Sequence, residues 1–350
     1  MENMDIKTLS FKNKKFLITG NTGFVGGWLS LILNHLGAEV FGISKKMTNK
    51  NYLSNTIDFK KNIQTHYLDI KNTKIIKKKI IIFKPEFVIH LASQPLVSMG
   101  YKNLKETFET NVMGSINFFE EIKNIKSIKK IIIFTSDKVY LEKKKKLSEI
   151  DNLGGNDPYS ASKVCQDIIS NLFGKRFFKN KKTTIIRAGN ILGGGDWGKD
   201  RLIIDLIQAF KQKKTLKIRN PNAIRPWQHI FDIIYSILLI LKNKQKKNLE
   251  IFNIASNSDS HIRVKELLNI IKKNYKKFNF KVIKSKFYES QYLKLNSNKF
   301  KSKFNFKSGL KIKDCIEKTI DWYKNCYIDN KKINIYEYSK NQFISYLKNK

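Results

Sequence analysis

Phe16-Leu17-Ile18-Thr19-Gly20-Asn21-Thr22-Gly23-Phe24-Val25-Gly26 joins an apolar run, a glycine-rich turn and the first turn of an amphipathic segment. A strand leading into a glycine turn and then a helix is the context that separates a dinucleotide turn from an ordinary tight strand-to-helix connection. Glycines at G-x-x-G-x-x-G spacing allow a sharp turn and close backbone approach to a pyrophosphate. The helix start adds free N–H donors and a favourable dipole. Gly20, Thr22, Gly23, Phe24, Val25 and Gly26 are therefore candidate cofactor contacts.

Working outward, short candidate strands recur at 16–20, 39–44, 64–69, 87–92, 130–136 and 184–188. Most are rich in β-branched or aromatic residues and apolar without alternation, as expected of strands covered on both faces. Helical patterns occupy 26–36, 107–122 and 160–178. Strand–helix alternation with right-handed crossovers predicts an α/β fold: a doubly wound, parallel, Rossmann-type sheet with ligands at the carboxyl ends of its strands. After Asn190 the pattern changes to loops and shorter elements, with an apolar helix at 231–241 and a short strand at 251–255. The expected organisation is a dinucleotide-binding domain of 1–190 plus about 230–256. A smaller, discontinuous C-terminal substrate domain takes about 191–229 plus 257–350.

Two clusters carry the chemistry. Thr135-Ser136-Asp137-Lys138 ends the strand at 130–136, and Tyr159 and Lys163 stand one helical turn apart. A phenol has a reference pKa of about 10, so it needs a nearby cation to act as a base near neutrality. Lys163 supplies one and can also hold a cofactor ribose. At the far end of the cofactor site, the second strand lacks the usual acidic residue and reads Ser44-Lys45-Lys46. Ser44 can bond a ribose hydroxyl, whereas Lys45 or Lys46 can meet a 2′-phosphate, leaving NAD and NADP both open. Asp69, beside Ile70, is placed to receive an adenine amino group, and Leu91 and Ala92 follow another strand end.

The 350 residues are 41% hydrophobic and carry a net charge of +39. Lysine is interleaved with Asn, Ile, Phe and Tyr throughout, so the charge reads as a lysine-rich surface rather than a nucleic-acid module. It would still attract anionic substrates. Cys165, Cys315 and Cys326 have no metal-binding spacing, and no metal is expected. Met1 to Lys15 carries no signal-peptide core and no apolar run reaches bilayer length, so a cytoplasmic protein without membrane partners is expected.

Several stretches together resemble the extended short-chain dehydrogenase/reductases that act on nucleotide sugars. Within these, the resemblance is to the CDP-glucose 4,6-dehydratases. The stretches are Thr19-Gly20-Asn21-Thr22-Gly23-Phe24, His90-Leu91-Ala92-Ser93-Gln94-Pro95-Leu96-Val97, Asn111-Val112-Met113-Gly114, Asp157-Pro158-Tyr159-Ser160-Ala161-Ser162-Lys163, Arg187-Ala188-Gly189-Asn190, Gly193-Gly194-Gly195-Asp196-Trp197 and Arg225-Pro226-Trp227-Gln228-His229. The resemblance implies an internal redox cycle on NAD that turns CDP-glucose into a 4-keto-6-deoxy sugar. Ser136, Asp137, Lys138, Tyr159 and Lys163 would be the catalytic residues. Lys138 would be the C5 base and Asp137 the acid towards the C6 hydroxyl. Gln94, Asn111, Asn190, Arg201 and Arg225 would hold the substrate, the two arginines on its pyrophosphate, while Trp197 or Trp227 packs on the base or in the core. It also implies a homodimer or dimer of dimers through helices at 107–122 and 160–178, and a place in deoxysugar supply for bacterial surface polysaccharide. The rivals are an epimerase or reductase of the same fold, which has no use for an eliminating pair, and a basic nucleic-acid binder that has lost its Ser–Tyr–Lys set.

Overall fold

The computed structural model describes residues 9–46, 53–56, 63–256, 258–275, 278–329 and 333–350. In chain order the first part runs β1 (Lys15–Thr19), α1 (Phe24–His35), β2 (Glu39–Ser44), α2 (Leu53–Thr56), β3 (Ile63–Tyr67), α3 (Thr73–Phe83) and β4 (Phe87–His90). It continues α4 (Val97–Lys102), α5 (Leu104–Phe108), α6 (Gly114–Ile122), β5 (Lys130–Phe134), α7 (Pro158–Leu172) and β6 (Lys182–Ala188). The second part is β7 (Asn190–Leu192), α8 (Leu202–Gln212), β8 (Leu216–Ile218), β9 (Ile224–His229), α9 (Ile230–Lys242) and β10 (Leu249–Ile254). Last come β11 (His261–Arg263), α10 (Val264–Asn274), β12 (Phe280–Val282), α11 (Asn298–Phe304), α12 (Ile312–Tyr323) and α13 (Ile335–Lys348).

Seven parallel strands form the main sheet in the order β10-β6-β5-β4-β1-β2-β3. The predicted doubly wound sheet is thus the observed one, and its direction of winding reverses between β1 and β4. That is where such sheets open a crevice beyond their carboxyl ends. One face of the sheet packs Trp28 of α1 against Phe231 of α9, and the other is filled by Phe118, Phe119, Phe173 and Phe178. The central strands β1, β4, β5 and β6 are buried on both faces, which is why they lack alternation, whereas the edge strand β3 is partly exposed.

The differences from the sequence reading lie at strand ends and helix interiors. β4 stops at His90 and β5 at Phe134, where apolar runs pointed to 92 and 136. In both cases the chain leaves the sheet to enter the crevice, and Ser136 caps a short 3₁₀ turn at Asp137–Val139. Helix α3 was not anticipated; its apolar pattern is blurred because Ile75, Ile81 and Ile82 face solvent while Ile76 and Ile80 are buried. The helical stretches at 107–122 and 160–178 each contain a π-helical turn, at Glu109–Met113 and Phe173–Phe177.

The glycine loop at 193–195 is a packing device. A Cβ on Gly194 would sit 2.0 Å from Cγ of Trp322, and the Trp28 indole donates to the Gly194 carbonyl at 2.8 Å. Trp197 and Trp227 are both buried, Trp197 edge-on to Tyr323 and Tyr327 and Trp227 bonded to the Ile262 carbonyl. Both are therefore core residues.

Candidate active site

Asp157 starts α7 as its N-cap, its carboxylate accepting from the Ser160 N–H at 2.9 Å, with Pro158 in the first turn. An acidic cap followed by proline is a strong helix start, and it fixes Tyr159 in the first turn with Lys163 one turn on. Burial pushes the Tyr159 phenol up to about 12, against a lowering by the hydrogen-bonding hydroxyl of Ser136. Burial brings the Lys163 ammonium down to about 7, opposed only by the charge of Asp167. Lys163 donates to the Phe134 carbonyl at 3.2 Å and to the Gln166 amide oxygen. Ser136, Tyr159 and Lys163 are thus gathered at the carboxyl end of β5.

Asp137 and Lys138 extend the same site. Asp137 is buried; one carboxylate oxygen accepts from Ser136 at 3.0 Å and the other has no hydrogen-bond partner among the described residues. Desolvation raises its pKa, with Lys138 the strongest opposing influence. Lys138 is half-buried, its Nζ 5.9 Å from the centre of the Tyr159 ring. Desolvation and then the Arg225 charge lower its pKa, with Asp157, Glu289 and Asp137 opposing. Arg225 itself is buried, 3.8 Å from Glu289. Burial therefore pushes both members of the Asp137–Lys138 pair towards their uncharged forms.

The glycine turn stands at the crevice. Gly20 has φ +76°, and a Cβ there would lie 2.9 Å from the Ala92 nitrogen. A Cβ on Gly26 would reach within 2.1 Å of the Gly20 carbonyl oxygen. No acidic residue stands in the first turn of α1 to oppose an anion. Gly42 leaves room for Asn21, which bonds Thr65 at 2.8 Å. These residues fit a dinucleotide: a bare, tight turn before an open helix start. Thr22 and Ser44 bond each other through their hydroxyls, and Lys45 lies 3.1 Å from Asp69 and 3.0 Å from Glu106. Lys71 also meets Glu106, at 3.1 Å, and the two lysines hold the Glu106 carboxyl down at about 2.

The remaining predicted residues divide by place. Phe24 packs towards Gly193, Ile70 is buried beneath Gly114, and Leu91 and Ala92 are tied to Thr19. Gln94 bonds Thr107 and the Leu96 N–H, while Asn111 bonds Ser162 and both backbone groups of Gln94. Their amides thus brace the loop after β4. Asn190 begins β7 opposite Trp227, and Arg201 pairs with Asp196 at 2.6 Å. His229 caps α9, accepting from the Phe231 N–H at 3.3 Å. The sequence reading gave no role to His90, Asp157 or Arg187, although they lie in the quoted stretches, and did not point to Gln166, Glu289 or Asp167, the last of which pairs with Arg187 at a closest N···O distance of 2.6 Å. Only Asp157 carried a local signal, its place before a proline.

The sequence pattern of the family described as GDP-mannose 4,6 dehydratase matches residues 17–319. The chain belongs to this family. Among curated relatives, a CDP-glucose 4,6-dehydratase of Salmonella typhimurium is 37% identical over 239 residues, 66% of this chain and 67% of the relative. A UDP-glucose 4-epimerase of Mycoplasma genitalium is 25% identical over 338 residues, 89% of this chain and 97% of the relative. Among solved structures, a Bacillus cereus UDP-glucuronic acid 4-epimerase in complex with UDP-glucuronic acid and NAD superposes with a TM-score of 0.80. It shares 24% identity, over 89% of this chain and 100% of that one. A dTDP-glucose 4,6-dehydratase from Bacillus anthracis in complex with NAD gives 0.77 at 20% identity, covering 89% and 97%. The relatives and structural neighbours of the chain thus include both 4,6-dehydratases and 4-epimerases.

Proposed function

We propose that the chain is an NAD-dependent nucleotide-sugar 4,6-dehydratase acting on CDP-glucose. The observation that carries this reading is the Asp137–Lys138 pair, desolvated and placed beside Ser136 and Tyr159. An epimerase needs a redox set alone; a dehydratase needs a second acid and base. The Salmonella relative supports the choice of CDP-glucose.

NAD, when bound, supplies the acceptor for the C4 hydride and returns that hydride at C6. Tyr159 takes the proton of the sugar 4-hydroxyl, and Ser136 donates to the same oxygen as it becomes a ketone. The ketone acidifies the C5 proton. Lys138 removes it, and Asp137 protonates the departing C6 hydroxyl. The working pair, a carboxylic acid beside a neutral amine, holds one proton, as does the carboxylate–ammonium ion pair. The two are tautomers, so their ratio is independent of pH while the pair holds one proton. Desolvation tilts that ratio towards the neutral, working form.

Lys45 is neutralised by Asp69 and Glu106, which favours NAD over a cofactor with an added 2′-phosphate. We assign the nucleotide sugar to the crevice between residues 1–190 with about 230–256 and the remaining C-terminal segments. Leu104, Met113, Ile168, Leu172 and Phe177 are exposed apolar residues along 104–122 and 158–177, which supports a homodimer through those helices. The setting proposed is the cytoplasm, at the start of deoxysugar supply for O-antigen or lipopolysaccharide. The test is incubation with CDP-, dTDP-, UDP- and GDP-sugars without reductant, read by NMR. A 4-keto-6-deoxy product from CDP-glucose is expected; C4 epimerisation of another sugar with no elimination would overturn the assignment.

A further inference from the structure

We propose that Gln166 is a positioning residue that sets the placement and ionisation of Lys163 and couples it to the glycine turn. The inference rests on the reading that Lys163 serves Tyr159.

Gln166 is fully buried, one turn beyond Lys163 on the inner face of α7. A buried carboxamide is costly unless both its ends are satisfied, and here they are. Its oxygen accepts from Lys163 Nζ, while its nitrogen donates to Ser115 Oγ at 2.9 Å and lies 3.4 Å from His90 Nε2. His90 Nε2 and Ser115 Oγ are 3.0 Å apart, and Ser115 donates to the Asn111 carbonyl at 2.7 Å. On its other side His90 Nδ1 meets Thr19 Oγ1 at 2.8 Å, and Thr19 Oγ1 accepts from the Ala92 N–H at 3.3 Å. Ala92 is the residue against which Gly20 packs. One chain of polar contacts thus runs from the lysine to the floor of the cofactor turn.

The groups facing Lys163 make the amide decisive. Tyr159 and Asp167 face it from α7, His90 from β4, and the Phe134 carbonyl from β5. Asp167 gives both oxygens to Arg187 of β6 and one also to Thr135. His90 is uncharged, its pKa brought down to about 3 by burial. Both hydrogen-bond acceptors of Lys163, the Phe134 carbonyl and the Gln166 amide, are therefore neutral. A neutral acceptor orients the amine without holding its proton, whereas a carboxylate in its place would keep the proton on. A lysine that titrates near neutrality can exchange protons during turnover.

The experiment uses the full-length protein without nucleotide, labelled with ¹³Cε-lysine, and follows the NMR titration of Lys163 assigned through Lys163→Arg. Gln166→Glu should raise the Lys163 midpoint by more than one pH unit. Gln166→Leu should lower it, since the ammonium loses an acceptor. Thermal melting checks that each variant is folded, and a second neutral replacement, Gln166→Asn, stands in if either is not. A Lys163 midpoint unmoved by every folded variant would overturn the proposal. In single turnover of CDP-glucose, the alkaline limb of the first hydride transfer, read as reduced-nicotinamide absorbance, should move upward in Gln166→Glu, with the steady-state KM changed less than twofold. Absence of dehydratase activity would count against the proposed function and leave the titration result standing.

Discussion

Replacing Lys138 by methionine tests the division between the redox and eliminating halves of the site. The substitution keeps the unbranched stem of the side chain, one atom shorter, and removes its amine. Loss of a general base costs about 10²–10⁴ in rate, or about 3–5 kcal/mol of barrier. The effect on the earlier hydride transfer depends on the charge of Lys138. Its Nζ lies 5.9 Å from the centre of the Tyr159 ring. A full positive charge there would stabilise the phenolate by up to about 3 kcal/mol at an effective dielectric constant of about 20. A neutral amine, the form the base must have, contributes almost nothing. In single turnover with CDP-glucose in D₂O, the reduced-nicotinamide absorbance of Lys138→Met should therefore rise within a few-fold of the native rate and persist. C5 deuteration and 6-deoxy product should fall by about 10²–10⁴. Loss of the absorbance rise in a folded variant would show that Lys138 acts as a cation on Tyr159. Product formation within tenfold of native would show that it is not the base.

The elimination should be bell-shaped in pH. It falls on the acid side, where the Asp137–Lys138 pair gains a second proton, and on the alkaline side, where it loses its only one; a monotonic profile would refute the tautomer argument. Glu106→Gln should free Lys45 and narrow the preference for NAD⁺ over NADP⁺ in calorimetric titration, whereas an unchanged ratio would mean Asp69 alone neutralises Lys45. Gly42→Ala places a Cβ 2.2 Å from Cγ of Asn21. It should destabilise the fold by about 1–3 kcal/mol and weaken NAD⁺ binding; a folded protein with native affinity would show that the turn can shift freely. Asp167→Ala leaves the buried Arg187 without its carboxylate and should cost about 3–5 kcal/mol in urea unfolding. A loss under about 1 kcal/mol would mean that Tyr140 and the Glu149 carbonyl hold the guanidinium well enough.

What the sequence determined by itself was local or periodic. Strand, glycine turn and helix at 15–35 lie within a few residues of one another, and their chemistry reads directly as a dinucleotide turn. The unalternating strands announced a sheet covered on both faces, and Tyr159 with Lys163 required only the pitch of a helix. Tertiary structure decided the surroundings of these groups. Gln166, His90, Ser115 and Thr19 come from four elements, and nothing in their spacing foretells that they meet. The same holds for Arg225 of β9, whose charge acts on Asp137 and Lys138 although it lies almost ninety residues further along the chain. Ionisation depends on desolvation and on charges brought together from afar. The letters at 136–138 therefore offered a carboxyl and an amine, but only the folded chain desolvates both and pushes them towards their uncharged forms.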